Sequence, residues 1–561
     1  MSLSTMPAVA FATTAELLLR RSDDDGPALL FEDRTWSWRE VVAEARVRAD
    51  LLSSWRADDR PWHVGVLLDN TPEYLFLIAG AALSGATIVG VNPTRRGPEL
   101  AADIRATDCA VVVTEPRHLP LLDGIDHGAA RVHTLGTPEY DALLAAHEPA
   151  ANTGEPGVDA APAALDPATF LLLLFTSGST GAPKPVVCST GRFAVLAQVT
   201  PLLLDREEVA YNAMPMFHGN ALMASWAPTL LHGATFATRR RFSASGFLGD
   251  VQRFGATYFN YVGRSLAYIL AQPERPEEHD NRLKFGFGTE ASARDREEFE
   301  RRFGCPVVES YGSSEGMCVI RRLPETPPGA LGLPPDGFVV DLVDADGRPC
   351  PRARIGAAFR LLNAEEAIGE IVSRGAAARF EGYYGNPEAG EAKLRDGDYY
   401  TGDLAYRDAD GWFWFAGRTS DWLRVDSENF AAAPIERILA RFPGVAVAAV
   451  YPVPDPRTGD RVMATLQLAD AAEFDAQEFS RFLDDAADLG TKWAPSFVRI
   501  TRDLPVTATR KVDKPALRRD LWNGPDRVLE RVQDQYAELD DARRAELAAL
   551  FAEHARSGLL G

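Results

Sequence analysis

The run Phe170-Leu171-Leu172-Leu173-Leu174-Phe175, followed at once by Thr176-Ser177-Gly178-Ser179-Thr180-Gly181-Ala182-Pro183-Lys184, decides how this chain is read. An unbroken apolar run of that length bounded by turn residues is a fully buried strand. The loop behind it combines hydroxyls, two glycines and a lysine. Glycines let the backbone approach an anion, hydroxyls and N–H groups donate to phosphate oxygens, and a lysine adds a compact positive charge. The spacing matches neither the Walker loop nor the Gly-x-Gly-x-x-Gly dinucleotide fingerprint. A nucleotide is the expected ligand, and a plain surface turn is the alternative for the loop taken alone.

Outward from this stretch, residues 27 to 115 alternate short apolar runs with amphipathic segments: Val64 to Leu68, a helical run from Pro72 to Gly85, then Ala86 to Val91. That rhythm is of strands joined by crossover helices into a parallel sheet. Ala256 to Gly263 and Leu283 to Gly288 read as further buried strands. The expected fold class is α/β: a large N-terminal domain of doubly wound sheets plus a β-rich subdomain, then a small α+β C-terminal domain. The texture turns β-rich near Pro334, with Asp-Gly turns at Asp346-Gly347, Asp396-Gly397 and Asp410-Gly411. A second break falls at 417 to 421. Boundaries follow at 1–418 (subdomain about 334–418), 419–525 and 526–561, the last expected to be a charged helical tail for packing or subunit contact.

Composition narrows the function. The chain has 561 residues and is 46% hydrophobic, enough for several cores. Asp and Glu outnumber Lys and Arg by 80 to 59, a net charge of −21, so the footprint of a nucleic-acid binder is absent and an anionic membrane surface would repel it. An anionic substrate must be held by local donors. Five cysteines lie scattered without metal or redox spacing and read as free core thiols. No stretch has the roughly 18 apolar residues of a membrane span, and no signal peptide is recognisable, so a cytoplasmic location is expected.

Further chemistry-bearing clusters follow the loop. Glu309-Ser310-Tyr311-Gly312-Ser313-Ser314-Glu315-Gly316 offers an aromatic for base stacking, a hydroxyl for phosphate at Ser314 and a carboxylate for Mg²⁺ at Glu315. Tyr400-Thr401-Gly402-Asp403 supplies a carboxylate suited to the two hydroxyls of a ribose, Gly417-Arg418 a cation, and Pro505 to Lys514 a basic loop around Lys511. Taken singly, each also reads as a core aromatic, a turn former or a surface charge.

In this order and spacing, the clusters resemble the adenylate-forming superfamily of acyl-CoA synthetases, peptide adenylation domains and luciferases, over roughly residues 25 to 520. The resemblance implies that Thr176, Ser177, Gly178, Ser179, Thr180, Gly181 and Lys184 grip the β- and γ-phosphates of ATP. It implies that Tyr311 and Gly312, with Gly288-Thr289-Glu290, flank adenine. Ser314 takes the α-phosphate, Glu315 holds Mg²⁺, and Asp403 and Arg418 serve the ribose or phosphate. Lys511 stabilises charge during adenylation, and His218 stands beside the acyl pocket.

The segments Phe259 to Leu270 and Gly417 to Phe430 look like the very-long-chain acyl-CoA synthetase and fatty-acid-transport-protein branch and its actinobacterial relatives. A large hydrophobic carboxylic acid is then the expected substrate, with Phe217, Tyr261, Gly263 and Gly286 as pocket wall and glycines leaving room for bulk. The branch also implies that the C-terminal domain is mobile about a hinge at Ser420. It places a coenzyme A tunnel beside Ser427 and Glu428. Departures are Pro185, Ser420, Arg510 and Ser427, where other members carry different residues.

The expected activity is an acid:CoA ligase using ATP, Mg²⁺ and coenzyme A as co-substrate. Left open are an enzyme that only transfers a preformed acyl-AMP to a thiol, a lipid-binding or uptake protein with a silent site, a carrier-protein thiol in place of CoA, and a homodimer.

Overall fold

The structure, a computed structural model, describes residues 10–128, 130–148, 165–176, 183–199, 205–289, 291, 293–323, 325–356, 361–418, 422–425, 428–457, 460–469, 472–486, 489, 492–507, 511–554 and 556–560. Contacts divide the chain into two compact units. One comprises residues up to Val319 together with Ala378–Ala392, the other Ile320–Ala377 with Lys393–Gly561.

In the first unit the quoted run is the strand Phe170–Thr176, buried from Leu171 to Leu174. It lies within a six-stranded sheet in the order Arg131–Thr134, Val111–Thr114, His63–Leu67, Thr87–Gly90, Phe170–Thr176, Lys184–Ser189. The first five are parallel and the last is antiparallel to its neighbour. A second sheet carries, in order, the parallel strands Val307–Gly312, Phe285–Thr289, Tyr258–Val262, Val209–Asn212, Thr235–Thr238 and Pro27–Phe31.

The helix Pro72–Ser84 is buried along nearly its whole length. It packs so closely on Trp38–Ser54 that a Cβ at Gly80 would meet Arg48 Cβ at 2.6 Å and Ala49 N at 2.9 Å. Glycine is required there by backbone approach. Across the same contact Arg48 forks onto Glu73 (3.0 and 2.6 Å), which also accepts from the Tyr140 hydroxyl at 2.6 Å.

The second unit holds a β-rich sheet and a mixed sheet. In the first, Val340–Val343, Gly369–Ser373, Asp398–Arg407 and Phe413–Arg418 pair antiparallel. The expected Asp-Gly turns are present: Gly347, Gly397 and Gly411 all have φ between 80 and 101°. The mixed sheet runs Val445–Pro454, Asp460–Leu468, Phe497–Thr501, Arg527–Val532, Gln535–Glu538. One face is covered by Ala432–Leu439 and Ala476–Asp485, the other by Lys514–Asp520 and Asp541–Glu553, each with its own apolar core.

The α/β class is borne out, with a larger and a smaller body of sheets. Two expectations are corrected. The stretch 526–561 is not all helical: Arg527–Val532 and Gln535–Glu538 form a hairpin that extends the mixed sheet, and the helix follows at Asp541–Glu553. Val528 and Leu529 are buried, and Tyr536 donates to Pro495 O at 2.6 Å. The turn is made by Gln533 and Asp534 at φ 47° and 66° without a glycine, so its usual signature is missing from the sequence. The second correction concerns boundaries. The β-rich stretch groups with the C-terminal residues, and Ala378–Ala392 returns to the first unit because Val186 pairs with Tyr383 and Tyr384 N–H donates to Pro185 O at 2.9 Å. The five cysteines are buried and outside any disulfide, as expected. Among the described residues no helix is long and apolar enough to cross a membrane.

Candidate active site

The first unit carries most of the residues expected to handle phosphate. Thr176 and Lys184 are direct partners in the antiparallel pair Phe170–Thr176 and Lys184–Ser189. Ser177, Gly178, Ser179, Thr180 and Gly181 lie outside the described residues. The Lys184 ammonium stands 5.4 Å from the centre of the Tyr383 ring. The Tyr383 hydroxyl donates to Glu315 Oε1 at 2.7 Å, and both side chains are buried. Arg192 donates to Val187 O at 2.6 Å and also to Ser314 O, joining that strand pair to the turn that carries Ser314 and Glu315. Gly316, at φ 66°, closes that turn with a bond from its N–H to Ser313 O at 2.9 Å.

Gly288 and Thr289 end the strand Phe285–Thr289, and Tyr311 and Gly312 end the adjacent parallel strand Val307–Gly312. Ligands of open α/β sheets bind outside such carboxyl ends. Glu290 lies outside the described residues. A Cβ on Gly288 would meet Tyr261 O at 2.3 Å, so glycine there follows from the neighbouring strand.

The expected acyl region centres on His218, which precedes a helical stretch with an unusual turn. Gly219–Ala221 and Ala227–His232 are α-helical, and Leu222–Trp226 between them is π-helical. Pro228 has no N–H to give the carbonyl four residues back, that of Ala224. The buried Tyr258 hydroxyl donates to Ala224 O instead, at 2.7 Å. The loop before His218 is pinned by Asn70: its Nδ2 donates to Met214 O (3.0 Å) and Arg239 O (3.2 Å), and its Oδ1 accepts from Met216 N–H (2.9 Å). Phe217 is buried beside the His218 ring at 4.4 Å. Asn260 donates to Asn220 Oδ1 at 2.6 Å, a polar pair that sequence reasoning passed over. Gly263 begins the helix Gly263–Leu270.

The expectation that Gly286 opens space for an acyl group is corrected. A Cβ there would meet the Phe259 ring at 2.4 Å and Val307 at 2.9 Å. Cross-strand pairing sets Phe259 directly against Gly286, so the aromatic fills the room that the glycine leaves.

Beside Asn70, the buried Asp69 receives Arg117 (2.5 Å), His118 (2.9 Å) and Arg241 (3.0 Å). Burial pushes its carboxyl up, but His118 and Arg241 hold it below the usual range. Asp69, Glu115 and His118 lie close enough to ligate a cation; the arginines already supply that charge.

In the second unit, Asp403 and Arg418 are register partners in the Asp398–Arg407 and Phe413–Arg418 pair. Asp403 sits half-buried just after Gly402, whose φ is 80° and whose N–H donates to Glu370 Oε1 at 2.7 Å. Burial raises the Glu370 carboxyl. Lys511 closes the base of the basic loop: Thr507 N–H donates to Lys511 O at 2.8 Å, and Lys511 N–H donates to Thr507 Oγ1 at 3.2 Å. Arg510, Ser420 and Ser427 lie outside the described residues, and Glu428 begins the strand Glu428–Ala431.

Glu315, Thr176 and Ser314 are oxygen donors, the hard ligand type that Mg²⁺ takes, and the Glu315 carboxylate is already oriented by Tyr383. The residues present therefore fit that ion. The signals that would have found Tyr383 and Asn70 in the sequence are slight, since both act through partners far along the chain.

Comparison with known proteins agrees with this arrangement. Residues 19–384 match the family model for AMP-binding enzymes and residues 434–511 that for their C-terminal domain. The steroid-22-oyl-CoA synthetase of Rhodococcus jostii is 49% identical, covering 98% of this chain and 99% of that protein. A medium/long-chain-fatty-acid–CoA ligase of Mycobacterium tuberculosis is 43% identical, covering 90% and 96%. A benzoate CoA ligase from Burkholderia xenovorans shares the fold, with TM-score 0.77 and 20% identity over 91% of this chain and all of that one. These family matches along the chain lead to one conclusion: it belongs to the AMP-binding enzyme family as an AMP-forming acid–CoA ligase that uses ATP, Mg²⁺ and coenzyme A.

Proposed function

We propose that this ligase activates a bulky hydrophobic acid of the steroid side-chain kind. The observation that carries the reading is the 49% identity with the steroid-22-oyl-CoA synthetase, which extends over 98% of this chain and 99% of its relative. The apolar surroundings of His218, with Phe217 buried beside it and Met223 Sδ 3.3 Å from where a Gly219 Cβ would stand, suit such a substrate. A medium- or long-chain fatty acid is the second reading, favoured by the 43% identity to the mycobacterial ligase.

In the first half-reaction the acid carboxylate attacks the α-phosphorus of ATP, forming acyl-AMP and releasing pyrophosphate. The chain is strongly acidic, so the triphosphate is held by local donors: the loop Thr176, Ser177, Gly178, Ser179, Thr180, Gly181 and Lys184, with Ser314 at the α-phosphate. Tyr311 and Gly312, with Gly288, Thr289 and Glu290, flank adenine. Asp403 accepts from the ribose hydroxyls and Arg418 supports them. Lys511 meets charge developing on the transferred oxygens, and His218 lines the approach of the carboxylate. Mg²⁺, held by Glu315, neutralises phosphate charge when bound.

In the second half-reaction the CoA thiol attacks the acyl carbonyl and AMP leaves. Rotation about Ser420 exchanges the Lys511 loop for the face near Ser427 and Glu428. The test is ATP-dependent thioester formation, followed by mass spectrometry, with a steroid acid carboxylated on its side chain, a straight long-chain fatty acid and benzoate. The steroid acid should give the highest kcat/KM. A higher value for the straight chain would replace this reading with the second.

A further inference from the structure

We propose that Tyr383 is a positioning residue for the adenylation half-reaction, orienting the Glu315 carboxylate toward Mg²⁺ while its ring flanks the Lys184 ammonium. This rests on the role proposed above for Glu315. One side chain thereby couples the two opposite charges that handle the triphosphate.

The geometry is specific. The phenol lies 2.7 Å from Glu315 Oε1, and an ionised carboxylate can only accept, so the hydroxyl is the donor. With one oxygen engaged, the carboxylate cannot rotate freely, and the direction of its remaining lone pairs is fixed. The Lys184 ammonium sits 5.4 Å from the ring centre, within the range of a cation–π contact. A side chain that fixes a metal-binding carboxylate tunes affinity without touching the ion.

The backbone around Tyr383 is built to hold this position. Val187 N–H donates to Gly382 O at 3.2 Å and Tyr384 N–H to Pro185 O at 2.9 Å, so residues 382–384 run against the strand that begins at Lys184. Glu381 accepts from Ser189 N–H at 2.8 Å and from its hydroxyl at 2.5 Å. Tyr384 donates to Asp108 at 2.8 Å, and its ring meets His63 edge-on at 4.8 Å. The segment leaves the second unit's stretch of chain, docks on the first and departs again. These tethers on both sides of Tyr383 set its hydroxyl against the expected magnesium carboxylate.

Tyr383→Phe removes the hydroxyl and keeps the ring. Binding of a non-hydrolysable ATP analogue is measured by calorimetry, first in EDTA and then across a Mg²⁺ series, on variant and wild type with matched melting temperatures. The variant should bind the analogue in EDTA within about twofold of wild type. Its half-saturating Mg²⁺ should rise about tenfold or more, the range for removing a partner of a metal ligand. Tyr383→Leu, which also loses the ring, should weaken binding in EDTA as well. Tyr383→His, keeping a ring and a donor, should recover part of the Mg²⁺ response and serves as the test should the phenylalanine variant not fold.

An unchanged Mg²⁺ midpoint in Tyr383→Phe overturns the inference, as does an equal loss with and without Mg²⁺, which marks a general packing role. If analogue binding to the wild type does not respond to Mg²⁺, the assignment of Glu315 falls and takes this inference with it. A responsive wild type beside an unaltered variant removes the inference alone.

Discussion

Lys184 and Lys511 are held in place by opposite means. Around Lys184 the partners arrive from far along the chain: Glu381 reaches Ser189 across 192 positions, and Tyr383 brings its ring to the ammonium. Around Lys511 the backbone is closed by its own loop, with Thr507 four residues away bonding in both directions and Asp513 N–H donating to Pro505 O at 2.8 Å. A region cross-braced from distant sequence keeps its shape only while the surrounding fold holds it. A loop that carries its own scaffold keeps its shape wherever it goes. The first suits the role proposed for Lys184, gripping phosphate throughout the cycle, and the second suits that proposed for Lys511, needed for one half-reaction and withdrawn for the other.

The cross-braced side breaks first at Asn70, whose three bonds tie the approach to His218 to another part of the first unit. Asn70→Ala leaves the buried Met216 N–H without this partner, at a cost of about 1–3 kcal/mol, while Met214 O keeps its bond from Asn212 Nδ2 at 2.9 Å. The KM for the acid should rise while that for ATP stays near wild type, and urea unfolding should show the stability loss. A rise in both KM values would mean that the damage spreads beyond the acyl region.

A smaller effect sharpens the same contrast. Burial lowers the pKa of His63, working against the Thr107 carbonyl that accepts from Nδ1 at 2.8 Å, and the ring packs on Tyr384. The folded state holds His63 neutral while the unfolded chain protonates it. Stability is therefore full above the unfolded value near 6.5 and is lost as pH falls from there toward the lower folded pKa. His63→Asn should flatten this slope in denaturation midpoints taken across pH 5 to 7.5. An unchanged slope would remove His63 as the titrating group. Lys511 functions should not follow this transition.

The same division separates what the sequence reveals from what it hides. The loop from Thr176 to Lys184, the turn around Glu315 and the basic loop are legible because each is one contiguous run whose residue types suit phosphate, metal or developing charge. The parallel sheets announce themselves as apolar runs spaced by helical segments, and Asp-Gly pairs mark turns in the β-rich sheet. Gly286 misleads because its meaning depends on Phe259 in the adjacent strand. The hairpin at 527–538 hides because Gln533 and Asp534 take left-handed conformations without a glycine. Tyr383 sits in an ordinary-looking Glu381-Gly382-Tyr383-Tyr384 run, and nothing local says that it meets Glu315. The π-turn could have been found from Pro228, whose missing N–H demands another donor for Ala224 O.

The most direct test of the account separates the two half-reactions in Lys511→Ala. Pyrophosphate release in the first turnover should fall by about 10²-fold or more, the scale of losing one electrostatic stabiliser. Thioester formation from supplied acyl-AMP and CoA should stay close to wild type, because the proposed rotation about Ser420 withdraws the loop that carries Lys511 for that step. Equal loss in both half-reactions would contradict the account, since it would make Lys511 a permanent part of the site like Lys184.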